Sequence, residues 1–393
     1  MGSYDLMLEY EENLMRPAWI EVDLDKLSGN VAKIKKYISE NSGDTKLMAV
    51  VKGNAYGHIA SEVVRTIMES GADMLATGIL EEAVTLRKMG VGHEILVLGY
   101  TLPYQAPLIV ENDIIQNVCT LEMAEALFRC AMTAGKTVKV HIKIDTGLGR
   151  LGVLPEDALE FMQKVIQLPN IEIHGIYTHL ATAHTGDPAY CRMQVRKFID
   201  TVNLLENRGI KTGMKHVANG SATMLSTAFH FDAVRCGCLL YGVYSSTAVP
   251  KVLDLESSLS VHTRVVFMKK VPAGFSVGYG GTFITNRESV IGILPMGHAD
   301  GFSKGFFNKV DVLIRGRRVP VKGGINMDSC FVDLTDIPQA QVGDPVVILG
   351  GQPEEKITAL ELAGKLHGDT GEILDSFGCS RLPHVYLQKG KPR

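Results

Sequence analysis

Between residues 18 and 243, short apolar runs alternate with longer segments whose apolar residues recur at helical spacing. The apolar runs are typical of buried strands: Trp19–Val22, Lys46–Val51, Met74–Thr77, Glu94–Leu98, Ile115–Val118, Val138–Ile144, Ile171–Tyr177 and Ala233–Leu239. Helices are predicted at Asp25–Glu40, Ile59–Ser70, Glu81–Met89, Leu121–Ala134, Pro155–Leu168 and Tyr190–Asn207. This alternation predicts parallel βαβ units, and seven or eight of them in about 220 residues make an α/β fold of the (β/α)8 TIM-barrel type. A doubly wound open sheet is the alternative, but no Gly-x-Gly-x-x-Gly pattern follows the first strand.

After about residue 251 the pattern changes to strands separated by glycine-rich turns. The predicted strands are Ser258–Val271, Ser289–Pro295, Val310–Ile314, Arg318–Lys322, Cys330–Leu334 and Pro345–Leu349, and one late helix is predicted at Thr358–Leu366. This indicates a second, mostly antiparallel β domain. We therefore expect an N-terminal extension of residues 1–16, a barrel of residues 17–248 and a C-terminal β domain of residues 249–393.

The charge and cysteine patterns exclude several classes of function. The net charge is -3 with both signs interspersed, so no basic block is available to track nucleic acid. The seven cysteines are scattered, which argues against a disulfide framework and for a reducing compartment. No apolar run approaches the roughly 20 residues of a membrane span, and the polar, acidic start does not resemble a signal peptide. We expect a cytoplasmic protein with no nucleic-acid or membrane partner and no metal ion.

A lysine, Lys52, ends the strongly apolar run that begins at residue 46. Barrel enzymes build their chemistry at the carboxyl ends of the strands. Partial desolvation lowers the pKa of an amine, which favours a Schiff base with an aldehyde cofactor. On position alone, a lysine that simply caps the strand is the other interpretation.

The surrounding residues 52–58, Lys-Gly-Asn-Ala-Tyr-Gly-His, closely resemble the Lys-Ala-Asn-Ala-Tyr-Gly-His signature of the alanine racemase family. The resemblance implies a pyridoxal 5'-phosphate (PLP) enzyme in which Lys52 carries the cofactor as a Schiff base and Tyr56 binds its phosphate. Gly53 replaces the usual alanine. We also predict that Leu98, at the end of another predicted strand, contacts the cofactor.

Residues 141–152 resemble the family's Lys-Val-Asp-Thr-Gly-Met-Gly-Arg-Leu-Gly. The resemblance implies that Arg150 orients the substrate carboxylate, which suits a guanidinium because it donates two parallel hydrogen bonds. It also implies that Lys143 is a site of carbamylation that positions the arginine. Residues 178–183 resemble Thr-His-Phe-Ala-Thr-Ala, which implies that His179 lies beside the cofactor ring.

Two later segments resemble the family's phosphate and ring-nitrogen motifs. In residues 216–222 the serine comes one place later than usual, so either Ser221 or the amide of Gly220 is the predicted phosphate ligand. In residues 234–242, Arg235 is implied to contact the pyridine nitrogen, and the amides of Gly237 and Cys238 to hold the phosphate. A cation at that nitrogen disfavours its protonation and weakens the ring as an electron sink.

The β domain carries the remaining family-like segments. Residues 276–283 contain Tyr279, which the resemblance implies is the second catalytic base, reaching the site of a partner subunit. Racemisation needs proton carriers on opposite faces of the reacting carbon, so Lys52 and Tyr279 form the predicted pair. Residues 324–328 imply that the amide of Met327 binds the substrate carboxylate from the partner. The expected assembly is a head-to-tail homodimer with shared active sites.

Two departures concern the substrate pocket. His298 stands where the family commonly has tyrosine, and Ser380 lies nearest the place of a missing gating tyrosine. Loss of an aromatic hydroxyl leaves more room, and one methylene changes selectivity by only about 1–3 kcal/mol.

The resemblance thus implies an enzyme that interconverts L- and D-alanine by two-base proton transfer at Cα through a PLP aldimine. A racemase for serine or a larger set of amino acids is the first alternative. A fold-related PLP decarboxylase is the second, and it predicts a glutamate where this chain has Arg235. A non-catalytic PLP carrier would be a single barrel without the β domain.

Overall fold

The computed structural model describes residues 15–393. The predicted extension, residues 1–16, therefore lies outside the described residues except for Met15 and Arg16.

Eight parallel strands form the barrel. In spatial order they are Met214–His216, Ile171–Tyr177, Val138–Lys143, Ile115–Val118, Ile95–Val97, Met74–Thr77, Lys46–Val50 and Ala233–Cys236. A parallel bridge between Asn219 and Arg235 brings the last strand back to the first and closes the ring. The predicted (β/α)8 class is confirmed. The short strand Met214–His216 was not predicted, because Met-Lys-His lacks the apolar run that marks the others.

The barrel interior is a packed core, because alternate residues of each strand point inward. One inward-facing cluster consists of Met48, Val50, Met74, Ala76, Leu96 and Ile115. The neighbours of these residues point outward and join the larger core beneath the helices. Those helices are Leu24–Ser42, Ala60–Glu69, Leu80–Lys88, Ala106–Glu111, Leu121–Ala134, Ala158–Val165, Pro188–Glu206 and Gly220–Leu225.

The C-terminal part is built on three sheets. The largest has the order Arg317–Pro320, Asp311–Ile314, Pro345–Gln352, Leu259–Arg264, Ala18–Asp23, His384–Gln388 and Lys391–Pro392, and Glu355–Ile357 pairs with Pro345–Gln352. The second contains Phe267–Val271, Ser289–Leu294 and Cys330–Asp333, and the third pairs Ser276–Val277 with Phe283–Ile284.

The first strand does not belong to the barrel sheet, although the expected barrel begins at residue 17. Ala18–Asp23 pairs antiparallel with Leu259–Arg264 and parallel with His384–Gln388. A short apolar run shows that a strand is buried but not which partner it pairs with. We propose that the domain division follows this pairing and assigns residues 18–23 to the C-terminal β domain.

A second late helix, Thr370–Gly378, follows the predicted one, which spans Ala359–Leu366. Each begins at a capping side chain, Thr358 or Asp369, that accepts a hydrogen bond from a first-turn N–H. The helix Thr370–Gly378 was not predicted. It packs so closely on the barrel that a Cβ on Gly378 would come within 2.2 Å of the Cα of Gly57. The β domain thus supports the loop that follows Lys52.

Candidate active site

A cavity of about 420 Å³ opens at the carboxyl ends of the barrel strands. All the barrel residues predicted to form the site line it: Lys52, Tyr56, Leu98, Lys143, Arg150, His179, Ser221, Arg235, Gly237 and Cys238. They come from separate strands and loops, and the closure of the barrel brings them together.

Lys52 begins a left-handed turn, Lys52–Tyr56. Gly53, Asn54, Ala55 and Tyr56 have φ between 52° and 60°, a region that costs non-glycine residues about 1 kcal/mol or more each. Consecutive residues persist in this region only when their surroundings hold them there. Strain of this kind is often found at functional sites.

The carboxylate of Glu82 holds this turn. Its Oε1 accepts a hydrogen bond from the N–H of Gly53 at 2.6 Å, and its Oε2 accepts one from the N–H of Gly78 at 2.8 Å. One side chain therefore ties together the loops that follow two neighbouring strands. Glu82 was not predicted as a site residue, although an acidic residue in the first turn of a barrel helix is a signal that could have been used.

Tyr56 lies at the base of the cavity against Gly237. A Cβ added to Gly237 would come within 2.4 Å of the Tyr56 hydroxyl oxygen, so glycine is required for this approach. Burial raises the pKa of Tyr56 well above 10, which keeps the hydroxyl protonated and able to donate a hydrogen bond. The hydroxyl of Ser221, near the start of the helix Gly220–Leu225, lies 2.6 Å from that of Ser245.

The loop that carries Arg150 is folded around Asp145. The carboxylate of Asp145 accepts hydrogen bonds from the backbone N–H groups of Gly147, Leu148, Gly149 and Arg150 at 2.9–3.1 Å. Burial alone would raise the pKa of Asp145, but these hydrogen bonds leave it lowered overall. The anion therefore fixes the loop and directs Arg150 to the rim of the cavity.

Arg235 is buried inside the barrel mouth. Its Nη1 lies 2.7 Å from Nδ1 of His216, and its Nη2 donates to the carbonyl oxygens of Thr178 and Val217 at 2.9 and 3.1 Å. Nη2 also lies 3.2 Å from Nδ1 of His179. Burial lowers the pKa of Arg235 to about 10, so the guanidinium remains charged near neutral pH. This places a fixed cation at the base of the cavity.

Lys143 is buried between two cations. Burial, followed by the charges of Arg150 and Arg235, lowers its pKa to about 8. A substantial fraction of the amine is therefore neutral, and hence nucleophilic, near physiological pH.

His179 is neutral for a similar reason. Burial, with the neighbouring cation Arg235, lowers its pKa well below 6.5. Since Nη2 of Arg235 can only donate, Nδ1 of His179 is the acceptor, and the proton of the ring lies on Nε2.

The four predicted residues outside the barrel do not line this cavity. Tyr279 is 81% exposed and Met327 is 58% exposed on the β domain. His298 and Ser380 line a separate, open depression on the same domain. His298 and Met327 belong to neighbouring loops, since the N–H of His298 bonds the carbonyl of Asn326. Within one chain, the structure therefore separates two groups of predicted site residues.

Two residues at or next to the cavity had no predicted role: Tyr177, which lines it, and His216, which contacts Arg235. Tyr177 ends an inner strand, and its ring stacks on that of His216 with centroids 4.6 Å apart. His216 stands in the motif of residues 216–222, but its contact with Arg235 depends on the closure of the barrel.

Comparison with known proteins assigns both parts of the chain. A family model described as "Alanine racemase, N-terminal domain" matches residues 22–245, and one described as "Alanine racemase, C-terminal domain" matches residues 258–386. The chain belongs to the alanine racemase family. The predicted family resemblance is confirmed.

Individual alanine racemases match over nearly the whole chain. Alanine racemase 1 of Caldanaerobacter subterraneus subsp. tengcongensis is 38% identical over 379 residues, covering 96% of each chain. The crystal structure of alanine racemase from Bacillus anthracis with bound L-Ala-P superposes with a TM-score of 0.89 at 33% identity, covering 96% of this chain and 97% of that one. A histidine racemase from Leuconostoc mesenteroides gives a TM-score of 0.83 at 28% identity, covering 95% of this chain and 99% of that one.

Among residues 15–393, no helix is both long and apolar enough to cross a membrane.

Proposed function

We propose that this member of the alanine racemase family is a PLP-dependent isomerase that interconverts L- and D-alanine. The observation that carries the proposal is that one barrel-mouth cavity joins the amine of Lys52 to the buried guanidinium of Arg235. Full-length similarity to alanine racemases supports the choice of reaction.

The residues around the cavity fit PLP. The amine of Lys52 is available for a Schiff base, and the hydroxyls of Tyr56 and Ser221 are potential phosphate ligands. The space left by the missing Cβ of Gly237 brings its backbone beside Tyr56, which is the kind of cradle a phosphate requires. Gly220 and Ser221 both line the cavity, so the Gly220 amide and the Ser221 hydroxyl are the two candidates for the remaining phosphate ligand. When bound, PLP supplies an aldehyde carbon and an electron-withdrawing ring.

Arg235 distinguishes this site from that of a decarboxylase. The family resemblance assigns its guanidinium to the pyridine nitrogen of PLP, and a positive charge there opposes protonation of that nitrogen. A glutamate would have the opposite effect, and none of the residues lining the described cavity is a glutamate.

The proton-transfer pair is Lys52 and Tyr279. Nζ of Lys52 takes or returns the substrate's Cα proton on one face, and the hydroxyl of Tyr279 does so on the other. Arg150 at the rim binds the substrate carboxylate. Tyr279 is 81% exposed and lies outside the cavity of its own chain, which supports delivery to a partner's site in a head-to-tail homodimer. The Met327 amide, on the same domain, is the second carboxylate ligand in this assembly.

We also propose that Lys143 reacts with carbon dioxide. The neutral amine present near pH 8 attacks the carbon of CO₂ and loses one proton, which leaves a carbamate anion. That anion would lie between Arg150 and Arg235 and would offset their mutual repulsion. The cytoplasmic location expected from the sequence remains a prediction.

The substrate range depends on the substrate pocket, where Ser380 and His298 replace larger or phenolic side chains of the family. The similar fold of a protein named histidine racemase shows that this architecture is not tied to one side chain. Serine and histidine are therefore the competing substrates.

The test is deuterium uptake at Cα from D₂O with purified holoenzyme and a panel of L- and D-amino acids. We expect exchange and inversion of alanine at the highest kcat/KM. Absence of exchange with every amino acid would refute the racemase assignment. A higher kcat/KM for serine or histidine would replace alanine as the substrate, and release of CO₂ would instead indicate a decarboxylase.

A further inference from the structure

A row of polar side chains, buried inside the barrel and half-buried at its far end, runs from Arg235 to the amino ends of the strands. Nη1 of Arg235 lies 2.7 Å from Nδ1 of His216, and Nε2 of His216 lies 2.8 Å from Nδ1 of His141. Nε2 of His141 lies 3.0 Å from Nδ1 of His174, and Nε2 of His174 lies 3.4 Å from Oε1 of Glu94. We refer to Arg235, His216, His141, His174 and Glu94 as the axial relay.

The strand positions show that the relay spans the barrel. In the strand Val138–Lys143, alternate residues point inward, so Lys139 lies near the amino end, His141 in the middle and Lys143 at the cavity. Glu94 directly precedes the strand Ile95–Val97, at the amino end of the barrel. The relay thus connects the base of the cavity to the end of the barrel that faces away from it.

The two ends of the relay determine the direction of every hydrogen bond between them. The guanidinium of Arg235 can only donate, so Nδ1 of His216 must accept and its proton must lie on Nε2. The Nε2–H of His216 then donates to Nδ1 of His141, which places the proton of His141 on Nε2. The Nε2–H of His141 donates in turn to Nδ1 of His174, so the proton of His174 also lies on Nε2. Nε2 of His174 lies 3.4 Å from Oε1 of Glu94, a longer polar contact with an oxygen that can only accept.

The electrostatic environment keeps the three rings neutral, as this arrangement requires. Burial lowers the pKa of His216 and His141 well below 6.5, and it lowers that of His174 to a smaller extent. Glu94 is held in turn by Lys139, whose Nζ donates to Oε1 at 2.6 Å. A reversed relay would place an N–H of His216 against an N–H of Arg235 in a buried site, which is costly.

The backbone is shaped to admit the central ring. A Cβ on Gly175 would come within 2.7 Å of Cε1 of His141, and the strand pairing shifts register at Val140 and His141. The space for the His141 ring therefore depends on a glycine and a β-bulge in adjacent strands.

We propose that Glu94 is a positioning residue for the reaction. Through His174, His141 and His216, its carboxylate selects the tautomers that let Arg235 donate to His216 and so holds the guanidinium towards the cavity. This inference rests on the proposed function only for the expected change in kcat. The histidine tautomers are a property of the folded chain and do not depend on the reaction.

The test compares Glu94→Leu, Glu94→Gln and the matched control Glu172→Leu in the PLP-loaded enzyme. Glu172 is an exposed carboxylate on the strand Ile171–Tyr177, which also carries His174. Nitrogen NMR of histidine-labelled protein reports which ring nitrogen is protonated, and His→Gln variants assign the signals. Steady-state kinetics and thermal unfolding are measured on the same samples.

In the wild type and in Glu172→Leu we expect Nε2 protonated and Nδ1 unprotonated in the three relay histidines. In Glu94→Leu the acceptor beside His174 is lost, so we expect reversed relays in which Arg235 has turned away from His216 to become populated. The result is mixed tautomers at His141 and His216, with kcat lower by about three- to tenfold, the effect of losing one buried hydrogen bond, and with KM nearly unchanged. Glu94→Gln should retain the wild-type tautomers, because Lys139 keeps the amide oxygen directed at His174.

Wild-type tautomers at His141 and His216 in Glu94→Leu would overturn the inference, even if kcat fell, since the effect would then be structural. Mixed tautomers in Glu172→Leu, or in Glu94→Gln to the same extent as in Glu94→Leu, would also overturn it. An enzyme that inverts no amino acid would refute the proposed function, while the NMR comparison would still decide the role of Glu94.

Discussion

The ammonium nitrogen of Lys52 lies 5.9 Å from the centre of the Tyr56 ring, across the left-handed turn that joins them. This separation lets two residues of one pentapeptide face the same cavity with different tasks. The amine is free to form a covalent bond, while the hydroxyl lies beside Gly237 at the base.

Replacement of Lys52 by alanine should abolish both cofactor attachment and proton transfer. We expect Cα deuterium exchange to fall by at least about a thousandfold, since both a covalent and an acid–base role are lost. The absorbance of the bound cofactor should change to that of free aldehyde. Retained exchange in this variant would show that another residue carries the proton.

The proposed sharing of active sites between two chains predicts that two inactive variants complement each other. Lys52→Ala and Tyr279→Phe homodimers should each be inactive. In a mixed dimer, one site combines Lys52 of one chain with the partner's Tyr279, and the other site lacks both. Equal mixing followed by subunit exchange should therefore restore about a quarter of the wild-type sites, assuming random association into cyclic dimers.

The measurement is racemase activity against time after mixing, with each homodimer alone as the control. Mixed samples that stay inactive after exchange has been verified would contradict the delivery of Tyr279 to a partner's site. If Tyr279→Phe alone kept both directions of inversion, the two-base assignment itself would be wrong.

Gly237→Ala should weaken PLP binding. The new Cβ would lie 2.4 Å from the Tyr56 hydroxyl oxygen, and relief of this overlap must displace the ring or the backbone. Overpacking of about 1–3 kcal/mol corresponds to a rise in the dissociation constant of about 5- to 150-fold. Fluorescence or absorbance titration with PLP measures it.

Gly364→Ala is the control for this substitution. A Cβ at Gly364, in the helix Ala359–Leu366, meets nothing within 4 Å, so we expect unchanged PLP affinity and a stability gain of up to about 1 kcal/mol. Equal PLP affinities for the two variants would argue against a cofactor cradle at Gly237.

Carbamylation of Lys143 should increase as pH rises through about 8. Below that pKa the amine is protonated and does not react with carbon dioxide, and above it the neutral amine predominates. At fixed dissolved CO₂, carbon NMR with labelled CO₂ should show a carbamate signal that grows from about pH 7 to about pH 9. Lys143→Met should lack the signal, and a signal that weakens with rising pH would contradict the proposal.

Local sequence patterns predicted much of the barrel because their physical basis is local. The helix Leu121–Ala134 and the strands Met74–Thr77, Ile115–Val118 and Ile171–Tyr177 have the predicted bounds, since periodic apolar residues within one segment define a buried face. The helix Thr370–Gly378 was missed even though Asp369 is a recognisable N-cap.

The sequence by itself determined the family, the barrel class and the barrel residues that surround the cavity, because these depend on spacing within short segments and on their order. Only the tertiary structure decided that residues 18–23 pair with the C-terminal sheet, that Glu82 ties two loops together and that Tyr279 lies outside the cavity of its own chain. It also decided that Arg235 and Glu94 are linked through three histidines. Each of these relationships joins residues far apart in the chain, and their distances are set by the closure of the barrel and not by any local pattern.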